Sequence, residues 1–79
     1  MRSDEEIFDE KRQFVTDKLT PFLQAIDQDI ESAEYHVITH TPYDLEYIVI
    51  TWKGGSSKRA YVTGDSLVAL AKDVLKVIS

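Results

Sequence analysis

From Tyr47 to Ile78 the chain reads YIVITWKGGSSKRAYV and then TGDSLVALAKDVLKVI, a passage that leaves few folds open. Ile48, Ile50 and Trp52 alternate with Tyr47, Val49 and Thr51, which places the two sets on opposite faces of a strand. Gly54-Gly55-Ser56-Ser57 supplies a hairpin loop, and Lys58 to Thr63 returns as the next strand. After Gly64, Asp65 stands where an N-cap is needed. Leu67, Leu70, Ala71, Val74 and Ile78 then recur at helical spacing, with Val68 and Leu75 at the margin of the stripe. The passage dictates a hairpin running into an amphipathic helix. It specifies architecture and no chemistry.

Upstream, Ser3 and Glu6 form a capping-box pattern, and Asp4, Glu5 and Glu6 set negative charge at the positive end of a helix dipole. Phe8, Val15, Leu19, Phe22, Ile26 and Ile30, with Leu23 beside them, trace one buried stripe, so a helix is expected from about residue 4 to about residue 31. Pro21 interrupts it, having no N–H for the carbonyl of Asp17. Either Thr20 caps a second helix with Pro21 at its first position, or one helix bends there; continuity of the apolar phase favours the bend. Glu34 to His40 reads as a strand, Thr41-Pro42-Tyr43-Asp44 as a turn and Leu45 to Lys53 as the central strand. The expected fold is therefore α+β: an αβββα two-layer sandwich with a three-stranded antiparallel meander. A long N-terminal helix and a short C-terminal helix lie on the face of Ile48, Ile50 and Trp52. The 79 residues allow a single domain over 1–79, without cysteine for disulfides or thiolate metal sites.

A first helix of about 28 residues would extend about 42 Å, against about 23 to 30 Å for the strands beneath it. Its first turns should overhang the sheet and carry Ile7, Phe8, Phe14 and Val15 with them. Burial by a partner or a second copy resolves that exposure; so does a break at Pro21 that folds the first piece back.

Ten acids against four bases in residues 1–34, and a net charge of −5 overall, repel phosphate backbones and anionic lipid. No stretch has the length and apolarity of a signal peptide core or a membrane span. These features fit a soluble cytoplasmic protein that takes a protein partner of basic or nucleic-acid-binding character.

Other candidate sites have plainer readings. His36 and His40 lie four residues apart, but on a strand that is about 13 Å, too far for one ion; His40 could instead pair with Asp44. Tyr35, Tyr43, Tyr47, Trp52 and Tyr61 concentrate in the β region, yet a base-stacking platform needs more cations around it than Lys58 and Arg59. The αβββα order is also that of double-stranded RNA-binding domains, although the last helix opens on Asp65 and Ser66 where those modules carry lysines. Gly54-Gly55-Ser56-Ser57-Lys58 lacks the Gly-Lys-Ser/Thr of a phosphate loop, and Ser66 has no adjacent base. No catalytic residue, metal ligand or cofactor-binding residue is indicated, so the chain is expected not to be an enzyme.

The stretch YIVITWKGG leading into YVTGDSLVALAKDVLKVI resembles small accessory proteins encoded by phages and mobile elements of Gram-positive bacteria, with Val62-Thr63-Gly64-Asp65-Ser66-Leu67 leading into the last helix. Some small acidic phage proteins of this layout inhibit CRISPR nucleases by occupying the DNA site, and the resemblance implies an inhibitor or regulator acting by contact. The expected function is thus that of a small acidic protein-binding module. Its contact surface would be Ile7, Phe8 and Phe14 with the acidic flank Asp4, Glu5 and Asp9, and it could also self-associate through the first helix. The alternative is a nucleic-acid-binding module using Lys53, Lys58, Arg59, Lys72 and Lys76.

Overall fold

The computed structural model describes residues 4–38, 45–64 and 66–79. Helix α1 spans Asp4–Phe14, a π-helical turn follows at Val15–Leu19, and α2 continues over Thr20–Ile26. Strands β1 (Ile30–Ile38), β2 (Leu45–Trp52) and β3 (Ser57–Tyr61) form an antiparallel sheet in that order, and α3 spans Leu67–Ile78. The order is αβββα and the class α+β, as expected. The Ser3 capping box, the Thr41–Asp44 turn and His40 lie outside the described residues, as does Asp65.

Pro21 neither breaks the helix nor simply bends it. Leu19 and Thr20 keep right-handed helical angles, and the chain closes a wider turn in which the Thr20 N–H bonds to the carbonyl of Val15, five residues back. An i→i−5 turn absorbs one extra residue, which suits a segment whose regular i→i−4 bond proline would have denied. The Thr20 hydroxyl lies 2.8 Å from the Val15 carbonyl and 3.3 Å from that of Ala33, dividing its proton between helix and β1.

This turn corrects the expected buried stripe. Val15, Leu19 and Leu23 are fully enclosed, whereas Phe22 and Ile26 are 48% and 54% exposed. The helix ends at Ile26 rather than near residue 31, because Asp27 turns extended and the Ile30 N–H bonds to its carbonyl. Ile30 then opens β1, ahead of the expected start at Glu34. A β-bulge at Glu31, where the register with β2 shifts, turns both Ile30 and Ala33 inward despite their odd separation.

The inner sheet face presents Ile30, Ala33 and Tyr35 from β1, Ile48 and Ile50 from β2 and Ala60 from β3, all buried beneath the helices. Leu70 and Val74 close the core from α3, and Trp52 packs at its margin. Each fully enclosed aliphatic side chain of this kind contributes about 1.5–3 kcal/mol. The helix also reaches the start of the β1 edge: besides Thr20 at the Ala33 carbonyl, Gln24 Nε2 donates to the Glu31 carbonyl at 2.9 Å.

Thr63 and Ser66 tie the chain between β3 and α3 to the last helix. The Thr63 N–H donates to Asp73 Oδ2 at 2.9 Å, and its hydroxyl donates to the same carboxylate. The N-cap is Ser66, whose Oγ accepts from the Ala69 N–H at 3.0 Å; this corrects the expectation of a cap at Asp65. Gly64 is required by space, since a Cβ there would stand 2.7 Å from the Ala69 Cβ. Gly64→Ala is therefore expected to destabilise the protein by about 1–3 kcal/mol, read as a lowered urea midpoint at unchanged m-value. Gly54→Ala, with nothing within 4 Å, should stay close to wild type.

Candidate functional site

The least ordinary feature of the interior is a charge. Lys11 sits one helical repeat before Val15 on the enclosed stripe, and Glu46 shares the inner face of β2 with Ile48 and Ile50. Their side chains meet at 2.7 Å with 3% and 16% exposure. The Tyr35 hydroxyl donates to the same carboxylate oxygen, and the Arg12 guanidinium lies 5.8 Å from the Tyr35 ring centre. This Lys11–Glu46–Tyr35 cluster ties α1 to the first two strands. Sequence reasoning missed it, although the signal was present in the helical period of Lys11 and the two-residue period of Glu46 and Tyr35.

Beside it lies an apolar groove between the N-terminal helical run and α3. Phe14 and Phe22 form one wall and Leu67, Val68, Ala71 and Leu75 the other, around a cavity of about 350 Å³. Val68 is 64% exposed, and with half-exposed Phe22 it leaves two large apolar side chains facing solvent across the opening. Lys72 borders the groove, and exposed Lys18 falls four residues from both Phe14 and Phe22.

At the hairpin end a wider cleft of about 660 Å³ is bounded by Asp27, Asp29, Trp52, Lys53, Ser57 and Lys58. Trp52 Nε1 donates to Asp27 Oδ2 at 3.1 Å, and the other oxygen of Asp27 accepts from the Asp29 N–H at 3.0 Å. Asp27 is thereby committed to holding the α2–β1 corner against the indole. The hairpin loop is a turn as expected: Gly55 takes φ 95°, and its N–H bonds to the Trp52 carbonyl.

The outer sheet face carries a row of rings in register, His36 on β1, Tyr47 on β2 and Tyr61 on β3. His36 stacks on Tyr47 at 5.4 Å and Tyr61 tilts against it at 6.1 Å. Arg59 covers the Tyr47 ring at 5.0 Å, and His36 Nε2 lies 3.4 Å from Glu34.

The expected contact residues are partly dispersed. Ile7, Phe8 and Phe14 are half-buried, and Phe8 and Phe14 pack on the core. Val15, expected in the overhang, is completely enclosed. The helical run is shorter than the expected 28 residues, and the molecule's longest dimension is only 38 Å. Of the acidic flank, Asp4 and Glu5 lie in the first turn of α1, and Asp9 pairs with Arg12 at 2.7 Å. The basic set does not converge: Lys53 and Lys58 border the hairpin cleft, Arg59 lies on the outer sheet face and Lys72 borders the apolar groove. The aromatic side chains divide likewise, with Tyr35 and Trp52 inside and Tyr47 and Tyr61 outside.

Comparison with protein-family models, curated proteins and solved structures finds no match to this chain. Among the described residues, no cluster of three or more histidine or acidic side chains could hold a metal ion.

The buried cluster makes a stability prediction. Lys11→Ala leaves the Glu46 carboxylate in a largely dry site and is expected to cost about 3 kcal/mol, the low end for a broken buried pair because Glu46 retains some solvent contact. The double variant Lys11→Met/Glu46→Leu should recover most of that loss in urea unfolding, since no uncompensated charge remains.

Proposed function

We propose that the protein is a small non-catalytic binding module whose principal contact surface is the groove between the N-terminal helical run and α3. The observation that carries this reading is half-exposed Phe22 and largely exposed Val68 lining one apolar groove with Phe14, Leu67, Ala71 and Leu75. Large apolar side chains clustered at an opening between two helices suit an amphipathic partner helix with anchors at i, i+3 or i+4, and i+7. Lys72 at the groove's border favours an occupant with a carboxylate beside its apolar face. The net charge of −5 gives the approach of a partner an electrostatic preference for basic surface outside the groove. The resemblance of the C-terminal half to phage and mobile-element accessory proteins supports regulation or inhibition of another protein by contact. Among the described residues, no helix is long and apolar enough to cross a membrane.

The nucleic-acid alternative draws less support from the geometry, because Lys53, Lys58, Arg59 and Lys72 face different directions. Salt-sensitive binding of generic DNA or RNA at physiological ionic strength would favour it over the groove.

A photo-crosslinking residue placed at position 22 or 68 in cells should yield one discrete protein adduct, and Lys72→Glu should abolish it. Phe22→Asp and Val68→Asp should prevent binding, both leaving the protein folded. Val68→Asp should change stability by less than about 1 kcal/mol, and Phe22→Asp should cost about 2 kcal/mol for its buried half. Phe8→Asp, by contrast, should destabilise the fold itself. A diffuse adduct pattern that Lys72→Glu leaves unchanged would remove the groove as the contact surface. A doubled mass in light scattering, reversed by Phe22→Asp, would identify the occupant as a second copy.

A further inference from the structure

We infer that the free edge of β3 is a second interaction site, which accepts an extended, carboxylate-bearing peptide segment of another protein as a fourth strand. The helical run reaches the start of the β1 edge. On β1 the carbonyls of Glu31 and Ala33 are met by Gln24 and Thr20 from the helix. On β3 the register assigns Ala60 and Lys58 to Ile48 and Ile50, in phase with the flanking bonds from Val62 N–H to Glu46 and from Trp52 N–H to Ser56. The alternation of an antiparallel ladder therefore turns the backbone N–H and C=O of Ser57, Arg59 and Tyr61 away from β2, along the edge. A row of such groups is a template for strand addition.

Basic side chains on an edge strand often serve to block pairing. Here they lean the other way. Lys58 Nζ lies 5.9 Å from the centre of the Trp52 ring and the Arg59 guanidinium 5.0 Å from that of Tyr47, and both rings belong to β2. The cations are thus drawn back over the neighbouring strand, one on each face, leaving the edge sterically open under a positive potential. An incoming strand with a carboxylate opposite Arg59 satisfies that potential. A second copy is a poor occupant. Antiparallel pairing of β3 with itself sets Arg59 against Arg59 or Lys58 against Lys58, and the register that avoids both overlaps only Arg59 to Tyr61.

The test uses the full-length protein, amide hydrogen exchange and two soluble eight-residue probes, one alternating Val and Glu, the other Val and Lys. At a concentration about ten times its Kd, the Val–Glu peptide should slow exchange at Arg59 and Tyr61 by roughly tenfold, and the Val–Lys peptide should not. Arg59→Pro removes the outward N–H without touching a β2–β3 bond, and should abolish the protection while the Ala60 amide stays protected. Should that variant fold poorly, Arg59→Glu keeps the backbone and should reverse the preference between the peptides. Phe22→Asp should leave edge binding intact, which separates this site from the groove. Equal protection by both peptides, protection by neither, or a concentration-dependent mass with slowed edge exchange would each overturn the proposal.

Discussion

One widened turn decides where the N-terminal helix can lie. In a regular α-helix each residue advances about 100°, so positions four apart drift by about 40° and positions twelve apart by about 120°. Lys11, Val15, Leu19 and Leu23 nevertheless form one enclosed line. They do so because the π turn at Val15–Leu19 takes up an additional residue and cancels much of the drift. Pro21 is what makes that turn the economical solution. The helix can then keep Val15, Leu19 and Leu23 on the sheet, and α1 is tied to β1 and β2 by the Lys11–Glu46–Tyr35 cluster.

The same turn creates the exposed surfaces. With Leu23 directed inward, Phe22 is rotated to the side, where it faces α3 across the groove. The helix also sits far enough toward β1 for Thr20 and Gln24 to reach the start of that strand's edge, while α3 packs against β3. The apolar groove and the contacts at the start of β1 thus follow from a single choice of helix position. The charge total of the chain gives none of them, because basic residues from one half end on three separate surfaces.

The second half of the fold was legible because each of its signals is local. Alternation in β2, the Gly54-Gly55 turn and the α3 stripe need only neighbouring residues to be read, and all three are present. The first half was misread wherever one residue was inserted into a regular period. The π turn moved Phe22 and Ile26 out of the buried stripe, and the bulge at Glu31 moved Ile30 from an expected helix into β1. Neither insertion changes the hydrophobic composition, so a periodic template reads across it. The expected contact residues suffered accordingly: Phe14 is in the groove, but Phe8 serves the core. Lys11 and Glu46 were legible in principle, since their positions obey the periods of their own elements. A charged residue in a hydrophobic phase is the signal to follow there, because burial without a partner would be prohibitive.

That pair also resolves an ambiguity which apolar packing leaves. A stripe with four-residue repeats fits a sheet almost equally well after sliding by one turn, since Val15, Leu19 and Leu23 are near-equivalents in size. Sliding α1 by a turn would bring Ile7 or Val15 opposite Glu46 in place of Lys11. The carboxylate would then be enclosed with an aliphatic neighbour and only the Tyr35 hydroxyl to compensate it, at a cost of several kcal/mol. Against a total stability of about 5–15 kcal/mol, such a penalty is large enough to exclude the shifted register. Because the register sets which helical side chains line the groove, the buried charge pair determines the shape of a surface it does not touch.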